Sequence, residues 1–405
     1  VEVEYSGDGT KTFTQAYVPG IGRLELQTTG ITQVVNVPYP NIDRYCTGNT
    51  SDYCNLFRDI RNPQNPAASG FKENIFVACH RGKWGQPLSG GEPENTMEAV
   101  QVAESATGYN SKLIEMDLMP TADGKFVFLH DYVMKRLTTY TGNLFSFDMN
   151  YSNMLKYNVR LRDGSVSSRK VTLYDNMATH MRDNNHMLML DIKEGQAKMV
   201  GGVCQANCNF QTEEARDINW TKSALKAINI ANNLGACRNI IIKTYKTADA
   251  TLDLLGNKSK YVFWMPMIVS NQAQWRTNGQ PDIQKICDFV DAWQTKLGDF
   301  ILCFETDFFT PSDVMLQQFT RNGTTYLNLP HYIYATTGRR SGIFSEDPAS
   351  NKGSVNRWGD WKMKNTPTDW RGDPLWLVNI PYGKIFMITS DRPDVWNLVK
   401  AELQK

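Results

Sequence analysis

From residue 75 onward, apolar runs of strand length alternate with amphipathic stretches of helix length. The runs cover 75–79, 113–118, 186–192, 239–245, 261–269, 300–304, 326–335 and 384–389, and amphipathic stretches such as 94–105, 221–233 and 283–296 lie between them. Buried strands alternating with helices predict an α/β fold with a closed parallel sheet inside a helical ring, a (β/α)8 TIM barrel. The Asp123-Gly124 pair is a hairpin turn, so the run at 126–129 is expected to fold back on the second strand and stay outside the barrel. The polar segment at about 132–180 then reads as a small insertion after that strand.

The first 70 residues differ in texture. Short β-prone pieces at 12–18, 23–27 and 32–37 are separated by Gly, Pro and Asn, and a Pro/Asn-rich connector follows at 62–66. They predict a β-rich N-terminal extension (1–70) on a barrel spanning 71–405. A long loop at about 336–382 carries Trp358, Trp361, Trp370 and Trp376, as either a binding wall or a flap that packs its own aromatics.

Composition narrows the function. The net charge is +1, which gives no electrostatic reason to bind nucleic acid, and no apolar run reaches the length of a membrane span. The oligomeric state is left open by the sequence. Eight cysteines fit an oxidising compartment, with Cys46/Cys54 and Cys204/Cys208 as candidate disulfides. Cys79, Cys237 and Cys303 adjoin apolar runs and read as buried thiols. A chain beginning at Val fits a processed N-terminus and a secreted or periplasmic protein.

The chemistry is concentrated at strand ends. The first run leads into His80-Arg81-Gly82, followed by Pro93-Glu94-Asn95-Thr96; the second carries Glu115-Met116-Asp117; and the hairpin ends at His130-Asp131. Two residues apart on a strand, Glu115 and Asp117 face the same side, roughly 7 Å apart. In a barrel that side is the lumen, near the mouth where barrel enzymes place their sites. Acids pointing into one mouth need a cation or a proton between them. An all-oxygen set, completed by Asp191 in the third run, suits a hard ion, Mg2+ or Ca2+. Arg81 and Lys193 are positioned to meet an anion, Arg as a fork and Lys as a point charge. Histidine is the side chain that gives or takes a proton near neutral pH, and only five are present. Asn95 fits either a helix N-cap or a substrate contact. Glu305 and Asp307, at the end of the sixth run, are candidates to contact a substrate alcohol.

The order and spacing from His80 to Asp131, with the closing Thr389-Ser-Asp391-Arg392-Pro393, resemble the glycerophosphodiester phosphodiesterase family. Two departures stand out. Asp191 replaces the family's usual Glu, as in the related sphingomyelinase D branch, and a Ser interrupts the Thr-Asp-Arg-Pro signature. The resemblance implies His80 and His130 as the catalytic pair. It also implies Glu115, Asp117 and Asp191 as ligands of a divalent cation, with Arg81, Glu94 and Lys193 on the substrate. The implied substrate is a small-molecule or lipid phosphodiester, cleaved by hydrolysis or by a lyase reaction ending at a cyclic phosphate. A non-catalytic barrel used for binding is the alternative from another class.

Overall fold

A computed structural model describes residues 76–84, 91–105, 110–193, 213–270, 272–345, 370–372, 376–377, 380 and 385–397, with short strands between 5 and 36 and at 199–200 and 203–204. Eight parallel strands close on themselves: β1 (Phe76–His80), β2 (Leu113–Pro120), β3 (Met187–Ile192), β4 (Ile240–Thr244), β5 (Phe263–Val269), β6 (Phe304–Asp307), β7 (Ser341–Phe344) and β8 (Ile385–Ser390). Each pairs with its sequence neighbour, and β8 returns to β1 to complete the barrel. The helices of the ring include α1 (Met97–Glu104), α2 (Tyr174–Asn184), α3 (Glu213–Asn233), α4 (Ala248–Leu255), α5 (Ile283–Leu297) and α6 (Leu329–Thr337). The strands read as nearly continuous apolar runs because both faces are covered. Trp264, Trp293 and Trp396 are fully buried between strands and ring.

The (β/α)8 TIM barrel and the hairpin are as the pattern predicts; strand Phe126–Phe128 pairs antiparallel with β2. Three local expectations are corrected. The run at 326–335 is not a strand: the sequence forms α6, started by the Asn328 side chain accepting the His331 N–H and by Pro330 in the first turn, and ended at Gly338 with φ +67°. The seventh strand is the short segment Ser341–Phe344, inside what reads as a polar loop. The sixth strand starts at Phe304, later than the run at 300–304, because a 3-10 turn occupies Gly298–Phe300.

After the hairpin, residues up to Val171 pack a small apolar cluster of their own around Met134, Leu137 and Met154, and Tyr174 already begins α2 of the ring. Two antiparallel pairs, Tyr5–Gly7 with Lys11–Phe13 and Arg23–Thr28 with Ile31–Asn36, occur near the N-terminus. Cys46, Cys54, Cys208, Trp358 and Trp361 lie outside the described residues; Cys79, Cys237, Cys287 and Cys303 are buried free thiols. No helix among the described residues is long and apolar enough to cross a membrane.

At the N-terminal end of the strands, Glu104 of α1 ties two elements together. His180 of α2 and His186, just before β3, each contact it at 2.6 Å. Hydrogen bonding to Glu104 raises the His180 pKa. Against burial, which acts upward, the two imidazoles hold the Glu104 carboxyl below its usual range. A depressed carboxylate stabilises the fold above its unfolded pKa, near 4.3, and a raised imidazole does so below its own, near 6.5. The contribution is therefore full between those values and is lost on both sides. The stability difference between the wild type and His180→Ala, from urea melts across pH 3.5–9, should peak at about pH 5–6. A difference that does not vary with pH would contradict this coupling.

Candidate active site

Register brings the sequence-distant groups to one layer. His80 pairs across β1 and β2 with Glu115, while Asp117, Asp191 and Lys243 stand side by side on β2, β3 and β4. A cavity of about 200 Å3 opens there, bordered by His80, Arg81, His130 and the acids Glu115, Asp117 and Asp191, with Lys243, Glu305, Asp307 and Phe344 also in its lining.

The turn after β1 is built for this place. Arg81 and Gly82 both have positive φ, +56° and +78°. A Cβ on Gly82 would lie 2.7 Å from the Ala99 backbone of α1, so only glycine fits between strand and helix. The turn aims the Arg81 Nε at Asp117, 2.8 Å away. Asn95, also at positive φ (+61°), is not the N-cap of α1: Thr96 caps it, accepting the Ala99 N–H. Asn95 instead clamps Asp117, its Nδ2 donating to the carboxylate at 2.9 Å and its Oδ1 accepting the Asp117 backbone N–H. Glu94 is buried between Arg81 (3.4 Å) and Arg136 (3.2 Å) and orients both guanidinium groups.

The three acids are not equivalent. Burial would raise the Asp117 pKa, but Arg81 and Lys193 hold it well below the usual range. Asp191 is lowered, against burial, by Lys193, whose Nζ lies 2.9 Å from Asp117 and 2.7 Å from Asp191. Glu115 has no such partner at close range. His80 Nε2 is 3.6 Å and Lys243 Nζ 3.9 Å away, the Glu115 Oε2 is buried without a hydrogen bond, and burial pushes its pKa up to about 8. Oxygens of all three acids lie within 4.8 Å of one another. An unsatisfied buried oxygen beside two ionised carboxylates fits a hard divalent cation, in agreement with an all-oxygen donor set.

The two imidazoles sit differently. His80 is buried, its Nδ1 2.6 Å from the Asp391 Oδ1 that also accepts the Trp84 indole N–H at 2.9 Å. With that oxygen as acceptor, the His80 proton resides on Nδ1 and Nε2 faces Glu115. Burial, with Arg81, keeps the His80 pKa well below its ordinary value, and Phe344 packs edge-on against the ring at 5.1 Å. His130 is 41% exposed, and its Nδ1 lies 2.7 Å from Asp131, which Arg136 grips through two bonds of 2.6 and 2.9 Å.

The structure thus gathers His80, His130, Arg81, Glu115, Asp117 and Asp191 around one cavity. Lys193 and Glu94 adjoin it through their partners. Sequence reasoning passed over Asp391, Lys243 and the Asp131–Arg136 pair. Asp391 stands inside the closing Ser-Asp-Arg-Pro segment, and Lys243 is a lone charge in an otherwise apolar run, so both carried a signal. Lys243 lies 2.9 Å from Glu305 with both side chains buried, and Arg371 lies 3.8 Å from Asp307, whose pKa burial and Glu305 push up to about 7.

Fold and site define a (β/α)8-barrel protein whose mouth combines a three-acid cradle with two braced imidazoles. The sequence pattern of the Glycerophosphoryl diester phosphodiesterase family matches residues 80–296, more than half of the chain. A curated relative, uncharacterized protein y4eD of Sinorhizobium fredii, is 31% identical over 133 residues, covering 29% of this chain and 32% of that protein, so the match spans about a third of its length. Among solved structures, a glycerophosphoryl diester phosphodiesterase from Parabacteroides distasonis superposes with a TM-score of 0.54 at 15% identity, covering 87% of this chain and 93% of that one. One from Silicibacter pomeroyi gives 0.51 at 14%, covering 83% and 96%. At such identities these structures speak for the shared barrel alone. The chain belongs to the glycerophosphoryl diester phosphodiesterase family.

Lys193 compensates two acids, so its removal isolates charge in the cation-free protein. Lys193→Met should destabilise the fold toward the low end of about 3–5 kcal/mol, because Asp191 is 31% exposed. Denaturation in EDTA measures it, and a loss under about 1 kcal/mol, the scale of an exposed pair, would show that Lys193 carries no such burden.

Proposed function

We propose that this protein hydrolyses phosphodiesters that join a small, uncharged, hydroxylated alcohol to a second group. The observation that carries the reading is the cavity rim, where two imidazoles, each braced by its own carboxylate, flank the three-acid cradle. A binding module needs no such pair of proton carriers.

Glu115, Asp117 and Asp191 would hold a divalent cation, Mg2+ or Ca2+. When bound, it supplies withdrawal of charge from the non-bridging phosphate oxygens. Arg81 and Lys193 add positive charge beside the phosphate. One imidazole takes the proton of the attacking water as its oxygen bonds to phosphorus. The other gives a proton to the alcohol oxygen as the phosphorus–oxygen bond breaks. Asp391 and Asp131 keep the two rings oriented for these transfers.

The rest of the cavity lining supports the choice of alcohol. Lys243 pairs with Glu305 there, and Asp307, backed by Arg371 at 3.8 Å, adds acceptors, so that donors and acceptors come with little net charge. Such a lining suits hydroxyl groups better than a quaternary ammonium or a second phosphate. A second reading keeps the same residues but has a neighbouring substrate hydroxyl attack, leaving a cyclic phosphate. It is favoured by Asp191, which matches the sphingomyelinase D branch.

EDTA should abolish turnover of a glycerophosphodiester, and Mg2+ or Ca2+ should restore it; full turnover by protein shown metal-free by elemental analysis would sink the cradle. Asp191→Glu should keep activity and Asp191→Ala should not. His80→Ala or His130→Ala should each lower kcat by ~10²–10⁴, and the double variant little further. A substrate with a p-nitrophenolate leaving group should rescue only the variant lacking the acid. Near wild-type kcat in both single variants would refute the two-histidine mechanism. Phosphorus NMR separates the outcomes, a linear monophosphate for hydrolysis and an accumulating cyclic phosphate for the lyase.

A further inference from the structure

The insertion after β2 reaches the support of His80 from outside the barrel. A bridge between Arg160 and Val166 and a bond from Leu161 N to Ser165 O (2.9 Å) close a hairpin with Arg162 near its tip. Tips of this kind are usually solvated, and nearby residues are: Gly164, Ser165 and Val166 are exposed. Arg162 is the exception, its side chain only 7% exposed.

Its guanidinium lies over the Trp84 ring, 4.7 Å from the centroid, and Nη1 is 3.8 Å from Asp391 Oδ2. The other oxygen of Asp391 accepts from both Trp84 and His80. Taking an arginine out of water is costly unless an aromatic face and a carboxylate compensate, and here both do so at one spot. Asp391 Oδ2 makes no hydrogen bond, so the Arg162 charge 3.8 Å away is what compensates that oxygen, while Oδ1, held by Trp84, sets the plane of the His80 ring.

We infer that Arg162 is a positioning residue for His80: the insertion tip fixes Trp84 and Asp391, and through them the imidazole. The insertion is then part of the catalytic apparatus although none of its residues lines the cavity. The catalytic consequence rests on the reading of His80 as a proton carrier; the structural one does not.

Two measurements separate these. In resting protein with 15N-labelled histidine, the Nδ1-bound proton of His80 should give a far-downfield, slowly exchanging resonance, assigned by its absence from His80→Ala. It should be lost or broadened in Arg162→Ala and largely recovered in Arg162→Lys. In kinetics, Arg162→Ala should lower kcat about 10–100-fold with KM within about twofold, the scale typical of groups that orient a reacting side chain. In the His80→Ala background the same change should cost nothing further, since it acts only through that ring. Thermal melts of each variant confirm folding, and Trp84→Phe, which keeps an aromatic face but removes the N–H donor, should weaken the same resonance. An unchanged His80 resonance in Arg162→Ala, or a kinetic loss that adds in full to that of His80→Ala, would overturn the inference. Wild-type protein without phosphodiesterase activity would defeat the functional reading, and the resonance would still decide whether Arg162 positions His80.

Discussion

Asp117 is an ionised carboxylate with almost no access to water, and that single constraint organises the mouth of the barrel. A buried charge is tolerated only when surrounding groups replace its hydration. Here the replacements come from the β1 turn (Arg81), the start of α1 (Asn95) and the end of β3 (Lys193). Each compensating group then acquires a fixed position because Asp117 holds it. The Asp117 cluster is thereby a structural knot at the mouth of the barrel. Glu115, two residues earlier and without a partner as close, is left with a buried oxygen that makes no hydrogen bond, and burial raises its pKa.

Closure of the parallel sheet makes this arrangement possible. Because β1 lies between β8 and β2, His80 is flanked by Asp391 on one side and Glu115 on the other, although 311 residues separate His80 from Asp391. The strands contribute rigid stems with apolar outward faces, and the polar groups emerge where the stems end. A core of buried strands and tryptophans offsets the desolvation of so many charges in one place. This is a common division in barrels: one end supplies stability and the other stores electrostatic tension. The Glu104–His180–His186 contact at the opposite end belongs to the first category.

The two imidazoles differ in their surroundings more than in their chemistry. His80 is sealed in, neutral and braced by Asp391; His130 stands on the rim with Asp131 and Arg136 behind it. The inner ring is shielded from bulk water, whereas the outer ring is open to it. The insertion, through Arg162, reaches the surroundings of the inner ring.

The sequence by itself determined the barrel, because burial on both faces forces long apolar runs, and it determined the acids and histidines, because strand ends are where a barrel exposes chemistry. His80, Arg81, Glu115, Asp117, His130 and Asp191 were all legible in this way. Local pattern failed where local and tertiary forces part. The segment around Tyr332 is apolar enough for a strand yet is a helix, since Asn328, Pro330 and Gly338 set its ends and ring packing fills its length. β7 is too short to register as a run. Asn95 fits a cap or a substrate contact in the sequence, but its partner Asp117 lies on another element, which only folding supplies. Lys243, Asp391 and Arg162 gain their roles from neighbours tens to hundreds of residues away, across strand register and barrel closure. Tertiary structure alone decided those pairings, because the energy of a buried charge depends on what surrounds it in space and not on what precedes it in the chain.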